Sequence, residues 1–143
     1  MKFYLSSRYD RRLEMLLLAD GLTRAGHEVI SSWLYQENDA VDSWVAPTLA
    51  EKDLLEIAEC DVCVHFAELP GTPGAARGGR LVEFGAAAAL GKRLIIVGRC
   101  KPENIFHRLE RIEWVRSKVE LLRLVGRKVE PLRLVGHAEG AAA

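Results

Sequence analysis

Five short apolar runs, each separated from the next by polar or helically spaced sequence, constrain this chain's fold more than any other feature. They are Lys2–Ser6 and residues 28–33, 62–67, 93–97 and 112–115. The fourth, Arg-Leu-Ile-Ile-Val, is continuously apolar after its first residue, as in a strand buried on both faces of a parallel sheet. Between the runs, residues 11–25 carry Leu13, Leu16, Leu17 and Leu18 at helical spacing, with Asp10 placed to cap and Gly26 to stop. Residues 47–59 repeat the pattern through Leu49, Leu54, Leu55 and Ala58, and residues 118–125 predict a last helix. Residues 35–43, with Asn38 and Asp39, and the Pro/Gly-rich residues 69–74 predict loops, and 104–109 a turn or short helix. The expected fold is α/β: one domain with a five-stranded, parallel, doubly wound sheet of flavodoxin or Rossmann-like type, helices on both faces. Ligands in such sheets bind beyond the carboxyl ends of the strands.

The fourth strand is preceded by Arg77-Gly-Gly-Arg-Leu-Val-Glu-Phe-Gly-Ala-Ala-Ala-Ala-Leu-Gly91, a glycine loop feeding a helix of small residues. Gly78 and Gly79 fall where unpaired helix N–H groups point outward, a mouth suited to an anion or a sugar. Gly85 and Ala86 to Ala89 strip the helix of bulk so that it can lie close to a sheet. Glu83 follows the glycines; either it complements the helix dipole or it does chemistry.

At 143 residues the chain is the size of one domain, and its 20 basic and 20 acidic residues give no overall bias toward nucleic acid polymers or anionic membranes. No apolar run approaches a membrane span and no signal peptide is evident, so a cytoplasmic protein is expected. Cys60, Cys63 and Cys100 form no framework and are expected to be reduced core thiols. His65 alone of four histidines falls near a strand's carboxyl end. Residues 118–126 return as 128–136, an internal repeat that sets a C-terminal extension, 118–143, apart from the domain at 1–117. Two copies do not make a solenoid.

Phosphate-loop, dinucleotide-fold, zinc-hydrolase and serine-esterase signatures are all absent. What remains is a pair of carboxylates, Glu83 and Asp53, at the site end of the sheet. Such a pair serves glycosidic cleavage, one group attacking the anomeric carbon while another protonates the leaving group.

Three stretches, Ser6-Ser7-Arg8, residues 51–62 and residues 78–93, resemble the nucleoside 2-deoxyribosyltransferase superfamily, which includes deoxynucleoside 5′-monophosphate N-glycosidases. The resemblance spans about residues 2–116 and is most specific at Glu83, Gly85, Ala87, Ala89, Gly91 and Lys92. It implies Glu83 as a nucleophile forming a glycosyl-enzyme intermediate, Asp53 in acid–base chemistry, and Phe3 or Tyr4 lining the pocket. No cofactor and no metal are expected. It further implies a homodimer or larger homo-oligomer, with Asn104 reaching a neighbour's pocket or, alternatively, capping its own turn. Where transferases carry an acid six residues before the nucleophile, and the nucleotide glycosidases a serine, this chain has Arg77. Arg77, with Ser6, Ser7, Arg8, Gly78 and Gly79, is expected to cradle a 5′-phosphate; the alternative makes Arg77 and Arg80 solvated loop charges. The implied activity is hydrolysis of a 2′-deoxynucleoside 5′-monophosphate, with base exchange or non-catalytic nucleotide binding as alternatives.

Overall fold

The computed structural model describes residues 1–37, 41–69, 71–74, 77–98 and 101–126. The expectations for Asn38, Asp39, Cys100, the second repeat copy and the tail lie outside these residues. Five strands, β1 (Lys2–Ser6), β2 (Glu28–Val29), β3 (Val62–Phe66), β4 (Arg93–Val97) and β5 (Glu113–Val115), form one all-parallel sheet in the order β2-β1-β3-β4-β5. Four helices accompany them: α1 (Arg12–Arg24), α2 (Ala46–Glu59), α3 (Gly79–Ala89) and α4 (Lys118–Gly126). Helix α1 packs against α4, and α2 against α3. This is the expected flavodoxin-like α/β architecture. Among the described residues no helix is long and apolar enough to cross a membrane.

The order of the strands reverses at β1, which lies between β2 and β3, so the carboxyl ends of β1 and β3 flank a crevice. Strand alternation then sorts the side chains of β1. Phe3 turns away from the crevice-side helices, its ring 4.9 Å from that of His27, whose Nε2 meets the Val125 carbonyl of α4. Tyr4 and Ser6 turn the other way, toward α3.

Several local expectations are corrected. Asp10 caps no helix; residues Tyr9–Arg11 form a 3₁₀ turn, α1 starts at Arg12, and Asp10 pairs with Arg8 at 3.3 Å. The buried face of α1 is Met15, Leu18, Ala19 and Leu22, one stripe at helical spacing, whereas Leu13 and Leu17 are 69% and 77% exposed on the far side. The second strand stops after two residues. Beyond it Ser31 Oγ accepts from Leu5 N–H and Trp33 Nε1 donates to the Leu5 carbonyl, so side chains replace the ladder and residues Ser32–Tyr35 coil into a 3₁₀ turn. In α2 Leu54 and Leu55 are exposed and Ile57 is buried, which leaves Asp53 and Glu56 half-buried between them. Close approach of α3 to the sheet is carried by Ala87, which is fully buried. Gly85 is exposed, and a Cβ added there would meet nothing within 4 Å. The first repeat copy is α4 itself, anchored by buried Leu121 and Val125, with Leu122 lying over Gly21 of α1.

Candidate active site

Helix α3 starts at a glycine because the chain must turn there: Gly78, its N-terminal flanking residue, has φ 76°, in the left-handed region. Among the described residues no side-chain hydrogen bond caps this helix end. Glu83 is the fifth residue of α3, beyond the first turn, so its setting is not that of a dipole-complementing acid. The register instead aims it at the end of β1. Tyr4 Oη donates to Glu83 Oε1 at 3.0 Å, and Ser6 Oγ lies 2.6 Å from Oε2. Both carboxylate oxygens are thus held.

Burial pushes the Glu83 carboxyl up to about 7, against the two hydrogen bonds, with the Asp53 charge adding to the rise. Tyr4 is held far above the usual phenol range, chiefly by burial and then by the Glu83 charge, so it stays a donor. Asp53 is raised to about 6, by burial first and the Glu56 charge second, and its buried Oδ1 has no hydrogen-bond partner among the described residues. Glu83 and Asp53 open into the same cleft, of about 540 Å³, which is in the range of small-molecule sites.

One wall of the cleft is aromatic. Tyr9 and Trp33 lie with ring centroids 6.5 Å apart, and Tyr9 Oη donates to the Gln36 carbonyl at 2.6 Å. The start of α3, with Arg77, Gly78 and Gly79, also lines the cleft. Ser7 lines it too, its Oγ buried and without a hydrogen-bond partner among the described residues, and a Cβ on Gly79 would meet nothing within 4 Å. Arg8 also lines the cleft, where its Nη1 donates to the Pro73 carbonyl and its charge is paired with Glu68, 3.2 Å from Nε, and with Asp10.

The expected site residues are therefore largely brought together. Glu83, Asp53, Ser7, Arg8, Arg77, Gly78 and Gly79 line the cleft, and Tyr4 and Ser6 bind Glu83 from beneath. Of the two aromatic candidates, Tyr4 meets the site; Phe3 lies in the core on the other face. Asn104 is not a cleft residue; its Oδ1 accepts from Phe106 N–H and caps the 3₁₀ turn Ile105–Arg108. His65 is buried and meets Arg80 rather than the cleft. Arg80, in turn, is a buried residue and not a solvated loop charge. Tyr9, Trp33 and Gln36 were not legible as site residues. Trp33 reads as part of a strand, and only the 3₁₀ turn that replaces the strand brings it to the cleft.

No family model and no curated protein matches the chain. Solved structures do. A CMP N-glycosidase, BcmB, of Clostridium botulinum is similar with a TM-score of 0.55 and 23% identity, over 87% of this chain and 98% of that one. A 2-deoxyribosyltransferase of Bacillus psychrosaccharolyticus is similar with a TM-score of 0.66 and 18% identity, over 85% and 90%. A conserved protein of Enterococcus faecalis V583 gives 0.62 and 13%, over 87% and 96%. The fold is common to all of them.

Proposed function

We propose that this protein is an N-glycosidase of nucleoside 5′-monophosphates, working through a covalent intermediate on Glu83. The observation that carries the reading is the setting of Glu83: a carboxylate gripped at both oxygens by Tyr4 and Ser6, facing a cleft it shares with Asp53. Ionised Glu83 attacks C1′. The bond between C1′ and the base nitrogen breaks, its electron pair leaves with the base, and protonated Asp53 supplies the proton the base needs. Water then attacks C1′ of the glycosyl ester, giving its second proton to Asp53, which releases the sugar 5-phosphate and restores both the Glu83 carboxylate and protonated Asp53. The names of two structural neighbours, an N-glycosidase and a deoxyribosyltransferase, fit bond cleavage at C1′.

A 5′-phosphate is supported by the uncapped start of α3, by Arg77 beside it and by the unpartnered Ser7 hydroxyl. The aromatic wall of Tyr9 and Trp33 suits a base. The sugar is taken to be 2′-deoxyribose, and because one neighbour is named for CMP, ribonucleotides belong in the test panel. A homodimer is part of the same proposal, supported by the exposed Ile105 and Phe106 that follow Asn104.

The test measures free base by chromatography from deoxy- and ribonucleotides and their nucleosides, with wild type, Glu83→Gln and Arg77→Ala. Glu83→Gln is expected to keep its fold and lose about three orders of magnitude or more in turnover. Wild type is expected to prefer the monophosphate, and Arg77→Ala to narrow that preference by about ten- to a hundredfold, the worth of a charge-assisted hydrogen bond. No free base from any member would end the glycosidase reading. Equal efficiency on nucleoside and nucleotide in both proteins, or diversion of the sugar onto an added base, would replace it with a nucleoside transferase.

A further inference from the structure

Behind the first turn of α3 lies a cluster of ionisable side chains that the glycosidic chemistry does not use. His65 comes from the end of β3, Arg80 from α3, and Glu103 and His107 from the connection after β4. Arg80 is only 4% exposed. Its Nη1 and Nη2 donate to Glu103 Oε1 and Oε2 at 2.8 and 2.6 Å, a bidentate fork. Nη1 also lies 3.2 Å from His65 Nε2; a guanidinium only donates, so His65 accepts there and carries its proton on Nδ1. The Glu103 N–H donates to His107 Nδ1, and Glu103 Oε1 accepts from Glu68 N–H at 3.3 Å. Glu68 in turn reaches Arg8 and Arg11 through its carboxylate.

His65, Glu103 and His107 are metal-ligand types whose donor atoms lie within 4.8 Å of one another. Arg80 already occupies both oxygens of the one carboxylate among them, so the guanidinium is the cation of this cluster. Burying such a pair is a poor source of stability, since desolvation offsets most of the attraction. Two parallel hydrogen bonds do fix an orientation. What is oriented is the α3 backbone at Arg80, whose carbonyl lies 2.9 Å from Ser6 Oγ, the same hydroxyl that lies 2.6 Å from Glu83 Oε2. Ser6 has one proton for two acceptors. It turns to Glu83 when that group is ionised and to the Arg80 carbonyl when Glu83 is protonated and itself donates to Ser6.

We propose that the Arg80–Glu103 fork is a positioning device for the active site. It locks the first turn of α3 to the end of β3 and to the connection after β4, so that Ser6, Glu83 and the N–H groups of Gly78 and Gly79 keep one mutual geometry. Its effect on turnover rests on the reading of Glu83 as nucleophile; its effect on the backbone does not.

The experiment combines backbone amide exchange with kinetics on Arg80→Lys, Glu103→Gln and Arg80→Ala. Lysine keeps the charge and loses the fork. In Arg80→Lys and Glu103→Gln the amides of residues 81–84 are expected to exchange about tenfold faster while those of β3 and β4 keep their protection. The kcat on the nucleotide falls about ten- to a hundredfold, with a smaller change in KM. Arg80→Ala regains part of its turnover in ethylguanidinium but not in ethylammonium. Unchanged exchange at residues 81–84 with unchanged kcat in Arg80→Lys overturns the proposal, as does protection lost equally across the sheet, which would make the fork a general stability element. A rise in wild-type melting temperature with Zn²⁺ also overturns it, by making the cluster a metal site. If wild type turns over no substrate, the nucleophile reading fails, and the exchange pattern alone decides the positioning one.

Discussion

Glu83 and Asp53 are set against their own ionised forms, to about 7 and about 6, and the chemistry asks opposite states of them. Glu83 must be ionised to attack and Asp53 protonated to donate. The competent fraction therefore rises with pH as Glu83 loses its proton and falls as Asp53 loses its own. A bell-shaped profile of kcat/KM for the free enzyme is expected, centred at about 6.5, its limbs belonging to the interacting pair. In Asp53→Asn the alkaline limb should disappear. The acid limb should then belong to Glu83 alone and lie no lower than in wild type, where ionisation of either carboxyl depletes the doubly protonated form. A profile flat from pH 5 to 8 (about one unit beyond each limb) would contradict both assignments. The same shift has a cost in stability. A carboxyl whose folded value is raised contributes fully below its unfolded value, and that contribution is lost as pH rises through the folded one. Glu83→Gln should thus be more stable than wild type at pH 8, by about 1–3 kcal/mol, and the gain should fade toward pH 4, as urea melts at the two pH values can show. Glu83 stood out in its glycine helix, but as either a dipole-complementing acid or a chemical group, and the resemblance decided for chemistry. Asp53 was paired with it at the site end of the sheet although leucine spacing put Leu54 and Leu55 inward, where the fold does the reverse. Arg80 was not legible, because its partner Glu103 is 23 residues away and no spacing rule pairs them.

Helix α3 shows which small residues matter. Ala87 is fully buried, and Ala87→Leu should cost about 1–3 kcal/mol in a urea melt by overpacking. Gly85→Ala should instead raise stability by about 0.5–1 kcal/mol, since the added Cβ meets nothing within 4 Å and glycine is a poor helix former. A fall in stability at Gly85→Ala would mean that another surface lies on that face. Strands β1, β3 and β4 were readable because central strands of a parallel sheet are apolar throughout and need no help from distant partners. The edge strand β2 was overextended in the sequence reading. Its continuation is set by two contacts with Leu5, from Ser31 and Trp33, which no local propensity contains.

At the scale of the whole molecule the parallel sheet follows from the alternation of strand and helix, and the place of the cleft follows from the observed reversal of strand order at β1. Assembly does not follow from either. Ile105 and Phe106 are 78% and 61% exposed beside Asn104, which within its own chain serves as a cap. Light scattering is expected to give a dimer, and Phe106→Asp a monomer with reduced turnover. A wild-type monomer with full activity would remove the shared site. The central claim is covalent catalysis by Glu83, and its most direct test is acid quenching during turnover of a deoxynucleoside 5′-monophosphate, followed by peptide mass spectrometry. The expected result is the mass of a deoxyribose 5-phosphate residue on the peptide containing Glu83, absent in Glu83→Gln. Release of free base with no adduct on that peptide, together with full turnover by Glu83→Gln, would contradict it.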